Sequence, residues 1–443
     1  MKQTFKTSWL VVMAVMITLV GFIQPNTTYA QIDINAESAI LVDANSGQVL
    51  FDKQSDVALP PASMTKMMTE YLVLEAIENG EISWDTTTQI SDYPYSISAD
   101  DTFSGVGLKQ NKDYTVRELY EAMAINSDNA TTIALTELIA GSEGEFVKMM
   151  NEKAKEMGLK EYQFVNSTGL PNSSLGDNYP EGTQPDDDNL LSARSSALLA
   201  YHLVNDYPEA LEISSITETE FDDQTIRNWN WMLPDMPGYL SQYGYEGMDG
   251  MKTGYTDLAG YCFTGTAERD ENRLISVVMK TDSEEARFEE TRRLMEYGFQ
   301  QFERQELYPA GHQKDGESEL PVAKGKEKQV GIETGEAVQA MIKNGEEDKY
   351  ELNFIVNEDK LNDEDKLTAP IEKGEQIGTV ELVYNGENSH GNILDGQQDD
   401  KSIPLVATEA VEKANWFMLT LGAIGDFFSD IFTSAVDTVK GWF

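Results

Sequence analysis

The chain has 443 residues, 40% of them hydrophobic and 25% charged, an ordinary globular balance with enough length for two domains or more. Its 33 Lys and Arg against 77 Asp and Glu leave a formal net charge of −44, which repels phosphate backbones and argues against any nucleic-acid partner. The single cysteine, Cys262, rules out an internal disulfide, so the fold has to hold by burial alone.

Residues 1–30 carry Lys2 and Lys6, then an apolar run over 9–23, then small residues around Ala30, the pattern of a secretory signal peptide. A retained membrane anchor is the alternative, since that run is near the lower limit for spanning. Residues 31–305 mix helical periodicity with short β-like runs. A hairpin is expected over 38–52, turning at Asn45-Ser46-Gly47, and a second over 260–280, turning at Asp270-Glu271-Asn272. Residues 283–302 predict a helix whose apolar stripe includes Phe288, Leu294, Met295, Phe299 and Phe302. Strands at both ends with helices between them predict an α+β fold, one antiparallel sheet closed by the first and last segments and flanked by helices.

Over 306–408 the helical periodicity fades. Short β runs at 338–342, 350–356 and 377–384 alternate with acidic and glycine turns, which predicts a smaller β-rich domain. It has no nucleophile or metal cluster, and serves either as a spacer or wall contact or simply to stabilise the first domain. Residues 409–443 predict an amphipathic helix with Phe417, Leu421, Ile424, Phe428, Ile431, Phe432, Val439 and Trp442 on one face. Its longest apolar run is too short to cross a bilayer, so it lies on a membrane surface or else docks on its own protein or a second copy.

Three short patterns carry the chemistry. Ser63-Met64-Thr65-Lys66 follows Pro60-Pro61 and opens a helix-compatible run, which places Lys66 three residues on, over the same face as Ser63. A serine hydroxyl needs a base, and a lysine serves when burial and nearby charge lower its pKa. Ser127-Asp128-Asn129 ends the helical run that opens at Thr115 and offers a hydroxyl and an amide for proton relay and substrate hydrogen bonding. Lys252-Thr253-Gly254, if on a strand, supplies a lysine and a threonine for a carboxylate and a glycine that lets substrate approach the backbone. Each pattern alone occurs by chance; their order and context together do not read as chance. Of His202, His312 and His390 only His202 lies in the main domain, and without a G-x-S-x-G elbow it reads as structural.

The three patterns are the signature shared by penicillin-binding proteins and class A β-lactamases. With Gly107-Leu108-Lys109-Gln110, the run from Phe164 to Pro171, Ser192-Ala193-Arg194 and the run from Gly254 to Tyr261, the chain resembles the serine D-alanyl-D-alanine carboxypeptidases, the DacA-type low-molecular-weight penicillin-binding proteins of peptidase family S11. The resemblance spans essentially the whole chain. It implies removal of the terminal D-alanine from peptidoglycan pentapeptides through an acyl-enzyme on Ser63, at the outer face of the cytoplasmic membrane, with no cofactor or metal, and with β-lactams as acylating inhibitors. It further implies that Lys66 deprotonates Ser63 and that the backbone N–H groups of Ser63 and Tyr255 form the oxyanion hole. Ser127 and Asn129 then serve the proton path and the substrate amide, and Lys252 and Thr253 the terminal carboxylate. Many relatives have histidine where this chain has Tyr255, and the arginine that some place before K-T-G has no clear counterpart in Arg227. A β-lactamase is the nearest rival, but no E-x-x-L-N segment lies between the second and third motifs; a penicillin-binding sensor or wall scaffold without turnover is the other.

Overall fold

The computed structural model describes residues 32–386, 390–394 and 403–415. The expected signal peptide over 1–30 lies outside them. So does most of the expected carboxy-terminal helix; its first residues, 409–415, are described and are not helical, bridging the β-rich part through Val411 and Lys413.

Both predicted hairpins form. Strands β1 (Ser38–Asp43) and β2 (Val49–Lys53) enclose the first turn. Strand β3 (Met248–Thr256) precedes the second hairpin, which is made of β4 (Gly260–Arg269) and β5 (Asn272–Thr281). Together they make one five-stranded antiparallel sheet in the order β2-β1-β5-β4-β3. β1 lies against β5, with Ile40 opposite Val277, so the first segment of the chain is held by nearly the last of this region.

The strands are buried on both faces, because side chains alternate and each face meets helices. Ile40, Val42, Ile275 and Val277 join the core formed with α1 (Lys66–Glu78), α2 (Val116–Asn126), α3 (Asn129–Ala140), α4 (Glu143–Glu156) and α5 (Ala193–Asp206). On the other face, α6 (Glu284–Gln301) brings Gly298 against Leu41 and Leu274. Ser or Thr caps start four of these helices: Thr115 makes a full capping box with Glu118 on α2, and Ser142, Ser192 and Ser283 each accept a backbone N–H from the first turn of α4, α5 and α6. α1 and α3 are buried all round instead of along a stripe, so they form the centre of the helical layer.

The β-rich part begins directly where α6 ends. β6 (Phe302–Tyr308) pairs with β9 (Val338–Lys343), and β7 (Glu319–Ala323), β8 (Gln329–Thr334), β10 (Tyr350–Val356), β11 (Leu367–Thr368), β12 (Gln376–Tyr384) and β13 (Ile403–Ala407) form a six-stranded sheet in the order β10-β12-β13-β8-β7-β11. It has its own core around Val330, Ile332, Leu352, Ile377 and Leu405. A short segment of it, residues 390–394, returns to the β1–β2 turn: Val49 N–H donates to Gly391 O at 3.1 Å and Ile393 N–H to Gly47 O at 2.9 Å. Ile393 and Leu394 then join the first core.

Candidate active site

Ser63 stands in a single 3₁₀ turn, Ala62–Thr65, that runs straight into α1 at Lys66. The expected helical start is therefore tighter than an α-turn, and the residue before the serine, Ala62, holds a left-handed φ of +49°. Two glycines make that turn possible. A Cβ on Gly254 would lie 2.4 Å from the carbonyl oxygen of Pro61, and a Cβ on Gly169 only 1.8 Å from that of Ala62. Both backbones touch the serine turn, one from the edge strand β3 and one from the 166–170 loop.

Lys66 is fully buried. Its Nζ lies 3.0 Å from Ser63 Oγ and donates to Asn129 Oδ1 and to the carbonyl of Thr168, both at 2.8 Å. A neutral amine has two N–H bonds and one lone pair, so two fixed acceptors leave the lone pair for the serine. Burial, aided by the charge of Lys252, pushes the Lys66 ammonium well below its ordinary range.

The second motif is a junction between helices. Ser127 ends α2 in a left-handed conformation, φ +61°, and Asp128 caps α3 by accepting the Thr131 N–H at 2.6 Å. The other Asp128 oxygen accepts the Val106 N–H, also at 2.6 Å, and the carboxylate is fully buried. The aspartate thus builds the motif, while its neighbours face the site. Ser127 Oγ accepts from Lys252 Nζ at 2.8 Å, and the Asn129 amide spans from Lys66 to the Ser104 carbonyl, which it reaches at 3.2 Å.

The third motif lies on β3, the edge strand facing the cleft, with Lys252 and Thr253 buried. Tyr255, next along, is 48% exposed; its ring stacks on Tyr261 at 4.3 Å and its hydroxyl donates to Asp257 at 3.0 Å. All eight residues singled out from the sequence, Ser63, Lys66, Ser127, Asn129, Lys252, Thr253, Gly254 and Tyr255, therefore come to one place or directly beside it. His202 does not: it pairs with Asp206 on its own helix at 3.4 Å.

Several members could not be read from motifs. Thr168 acts through its carbonyl, which the Asn166 side chain orients by accepting the N–H groups of Thr168 and Gly169 at 3.2 and 2.8 Å. The string from Phe164 to Pro171 signalled kinship but not this backbone role. Glu70, one helical turn beyond Lys66 and 4% exposed, is pushed up to about 7 by burial, against the opposing pull of Lys252 and Lys66. Lys252 is brought down to about 8, first by burial and further by Arg287, while Glu70 works the other way. Arg287, on the first turn of α6, is buried behind β3; its Nη1 reaches toward the Gly254 carbonyl at 3.5 Å, its Nη2 bonds Glu284 at 2.9 Å, and burial brings it down to about 10. It enters from a helix far downstream of K-T-G, which is why inspection of the residues before that motif found only Arg227, an exposed partner of Glu218.

A family model described as D-alanyl-D-alanine carboxypeptidase matches residues 25–283, and one described as the C-terminal domain of penicillin-binding protein 5 matches residues 302–413. D-alanyl-D-alanine carboxypeptidase DacF of Bacillus subtilis is 32% identical over 392 residues, 88% of this chain and 90% of its own length. Among solved structures, a peptidoglycan synthesis regulatory factor (PBP3) from Streptococcus pneumoniae has a TM-score of 0.67 at 35% identity, covering 86% of this chain and all of that one. Penicillin-binding protein D2 from Listeria monocytogenes in its ampicillin-bound form has a TM-score of 0.51 at 32% identity, over 61% of this chain and 99% of that one. The buried lysine facing a serine agrees with what the family model and these relatives show: the chain is a member of the serine-type D-alanyl-D-alanine carboxypeptidases, peptidase family S11.

Proposed function

We propose that Ser63 attacks the carbonyl between the last two residues of a peptidoglycan pentapeptide, with Lys66 Nζ taking the hydroxyl proton as the Oγ–C bond forms. The observation that carries this is the Lys66 amine, 3.0 Å from Ser63 Oγ with its two N–H groups already committed. Collapse of the tetrahedral adduct breaks the C–N bond; the proton returns through Lys66 and Ser127 to the departing amine, and D-alanine leaves. Water then attacks the ester along the reverse path. The N–H groups of Ser63 and Tyr255 hold the oxyanion. Asn129 offers its amide to the peptide, exchanging the Ser104 carbonyl for it, and Lys252 and Thr253 meet the terminal carboxylate with the Arg287 charge behind them. β-Lactams acylate the same oxygen.

We read the part up to the end of α6 as the catalytic domain and the β-rich part from Phe302 through the bridges at Val411 and Lys413 as its accessory domain. Residues 1–30 direct export and the segment beyond residue 415 rests on the membrane surface, with the serine working at the outer face of the cytoplasmic membrane or in the wall. Purified protein given a D-Ala-D-Ala peptide is expected to release D-alanine, and given penicillin to form an adduct that hydrolyses slowly. Ser63→Ala abolishes both; D-alanine release by that variant would refute the assignment.

A bell-shaped pH profile of kcat/KM follows. Activity needs Lys66 neutral and so rises with pH through its lowered pKa; it needs Lys252 charged and so declines again near pH 8, where that lysine loses its proton. Glu70→Gln removes the negative charge that raises the Lys252 pKa, so the alkaline limb moves to lower pH. An unmoved limb would dissociate Glu70 from the site's electrostatics.

A further inference from the structure

The stretch Arg227-Asn228-Trp229-Asn230-Trp231 leaves a short hairpin and opens the long connection that leads to β3. Asn228 and Asn230 are turned inward and buried, 5% and 1% exposed. Asn228 Nδ2 donates to the carbonyls of Ser214 and Ile216, both at 2.9 Å, and Asn230 Nδ2 to that of Gly250 at 3.2 Å. Their carboxamide oxygens accept the backbone N–H groups of Asn230 and Met232 at 2.8 and 3.0 Å. With both neighbours fixed inward, Trp229 has to point outward, and it is 40% exposed.

A single exposed aromatic is common on protein surfaces and by itself means little. Here, though, the indole N–H, the ring's only polar group, is already used: it donates to the carbonyl of Asn126 at 2.9 Å. What remains on offer is carbon surface. Asn126 directly precedes Ser127, and Gly250 lies two residues before Lys252; Ser127 and Lys252 themselves meet at 2.8 Å. The ring nitrogen is thus tied to the residue before the second motif, and the backbone that carries the ring is tied through Asn230 to the strand that carries the third.

We propose that Trp229 is a specificity-determining residue, an apolar floor beside Ser127 and Lys252 that receives the side chain of the departing C-terminal residue and favours a small one. This rests on the acyl-transfer reading above. In that reading the departing nitrogen sits at Ser127 and the terminal carboxylate at Lys252 and Thr253. The Cα between those two points carries the side chain, and the indole pinned beside Asn126 is the rigid surface next to it. A fixed ring close to this Cα leaves room for a methyl group and crowds anything longer.

The test compares kcat/KM for release of D-alanine with that for release of D-leucine from otherwise identical acylated peptides. In Trp229→Ala the preference for D-alanine is expected to fall about tenfold or more, with the change carried mainly by KM, whereas Trp229→Phe, which keeps an aromatic face, stays within about threefold of the unaltered chain. Labelling of Ser63 by a fluorescent penicillin, one per chain, shows that each variant is folded and competent. A preference in Trp229→Ala within about twofold of the unaltered chain would overturn the proposal. If Trp229→Ala does not label, Trp229→Leu decides by the same ratio. D-alanine release by the unaltered chain with no change in preference refutes the role of Trp229 alone; no release by the unaltered chain refutes the reading of the site and takes this inference with it.

Discussion

Lys66→Arg is expected to slow acylation of Ser63 by about a thousandfold, within the range that a positioned general base supplies. The substitution puts a permanent cation where the mechanism needs a neutral amine, so it removes the base while keeping a long nitrogen-bearing side chain at the position. Guanidinium does not lose a proton in proteins and has no lone pair to accept one. The structure adds a second obstacle. Lys66 is fully buried, with acceptors at Asn129 Oδ1 and Thr168 O set for a single nitrogen, and a planar five-donor group cannot reproduce that arrangement and still face Ser63 Oγ. Stopped-flow labelling with a fluorescent penicillin measures the rate. A variant acylating within about tenfold of the unaltered chain would mean that another group takes the serine proton.

Gly169→Ala is expected to cost both stability and catalysis. Gly169 has φ +83°, and its added Cβ would lie 1.8 Å from the Ala62 oxygen, 2.3 Å from the Ala62 carbonyl carbon and 2.9 Å from Thr65 Oγ1. Two of these atoms are backbone and cannot turn aside, so the loop or the serine turn has to move. Either movement separates Thr168 O from Lys66, or Ser63 from its base. A displacement of about 1 Å at a reacting centre costs on the order of a hundredfold in rate, and left-handed strain with overpacking costs about 2–4 kcal/mol in stability. Gly80→Ala makes the comparison: Gly80 has φ +73° but nothing within 4 Å of its Cβ. It is expected to lose only about 1 kcal/mol, with acylation unchanged. Thermal melts and acylation rates of the two variants check this; equal losses in both would mean that the contact with the serine turn is unimportant.

Much of this site was legible because its chemistry sits in side chains at short spacing. Ser63 and Lys66 are three residues apart on one turn, and Ser127 and Asn129 straddle one helix junction, so local geometry alone brings each pair to one side. The frame was legible for a related reason: turn residues at 45–47 and 270–272 and alternating apolar runs mark the hairpins that pair β1 with β5. What could not be read acts through backbone or across long sequence separations. The Thr168 carbonyl has no residue code, since any residue carries a carbonyl. Gly169 and Gly254 matter for what lies opposite them, which only the packed structure shows. Arg287 reaches the Gly254 carbonyl from a helix that begins after two further strands, and Glu70 looks from sequence like an ordinary polar position on α1 until burial places it with Lys66 and Lys252. The outward turn of Trp229 likewise depends on what Asn228 and Asn230 find to bond.

The central claim is that Ser63 carries the acyl group and Lys66 makes it reactive. The most direct measurement is mass spectrometry of the protein quenched during turnover of a D-Ala-D-Ala peptide, followed by peptide mapping. The acyl mass is predicted on the fragment containing Ser63, absent in Ser63→Ala together with all D-alanine release. An adduct on any other residue, or D-alanine release that survives Ser63→Ala, would contradict it.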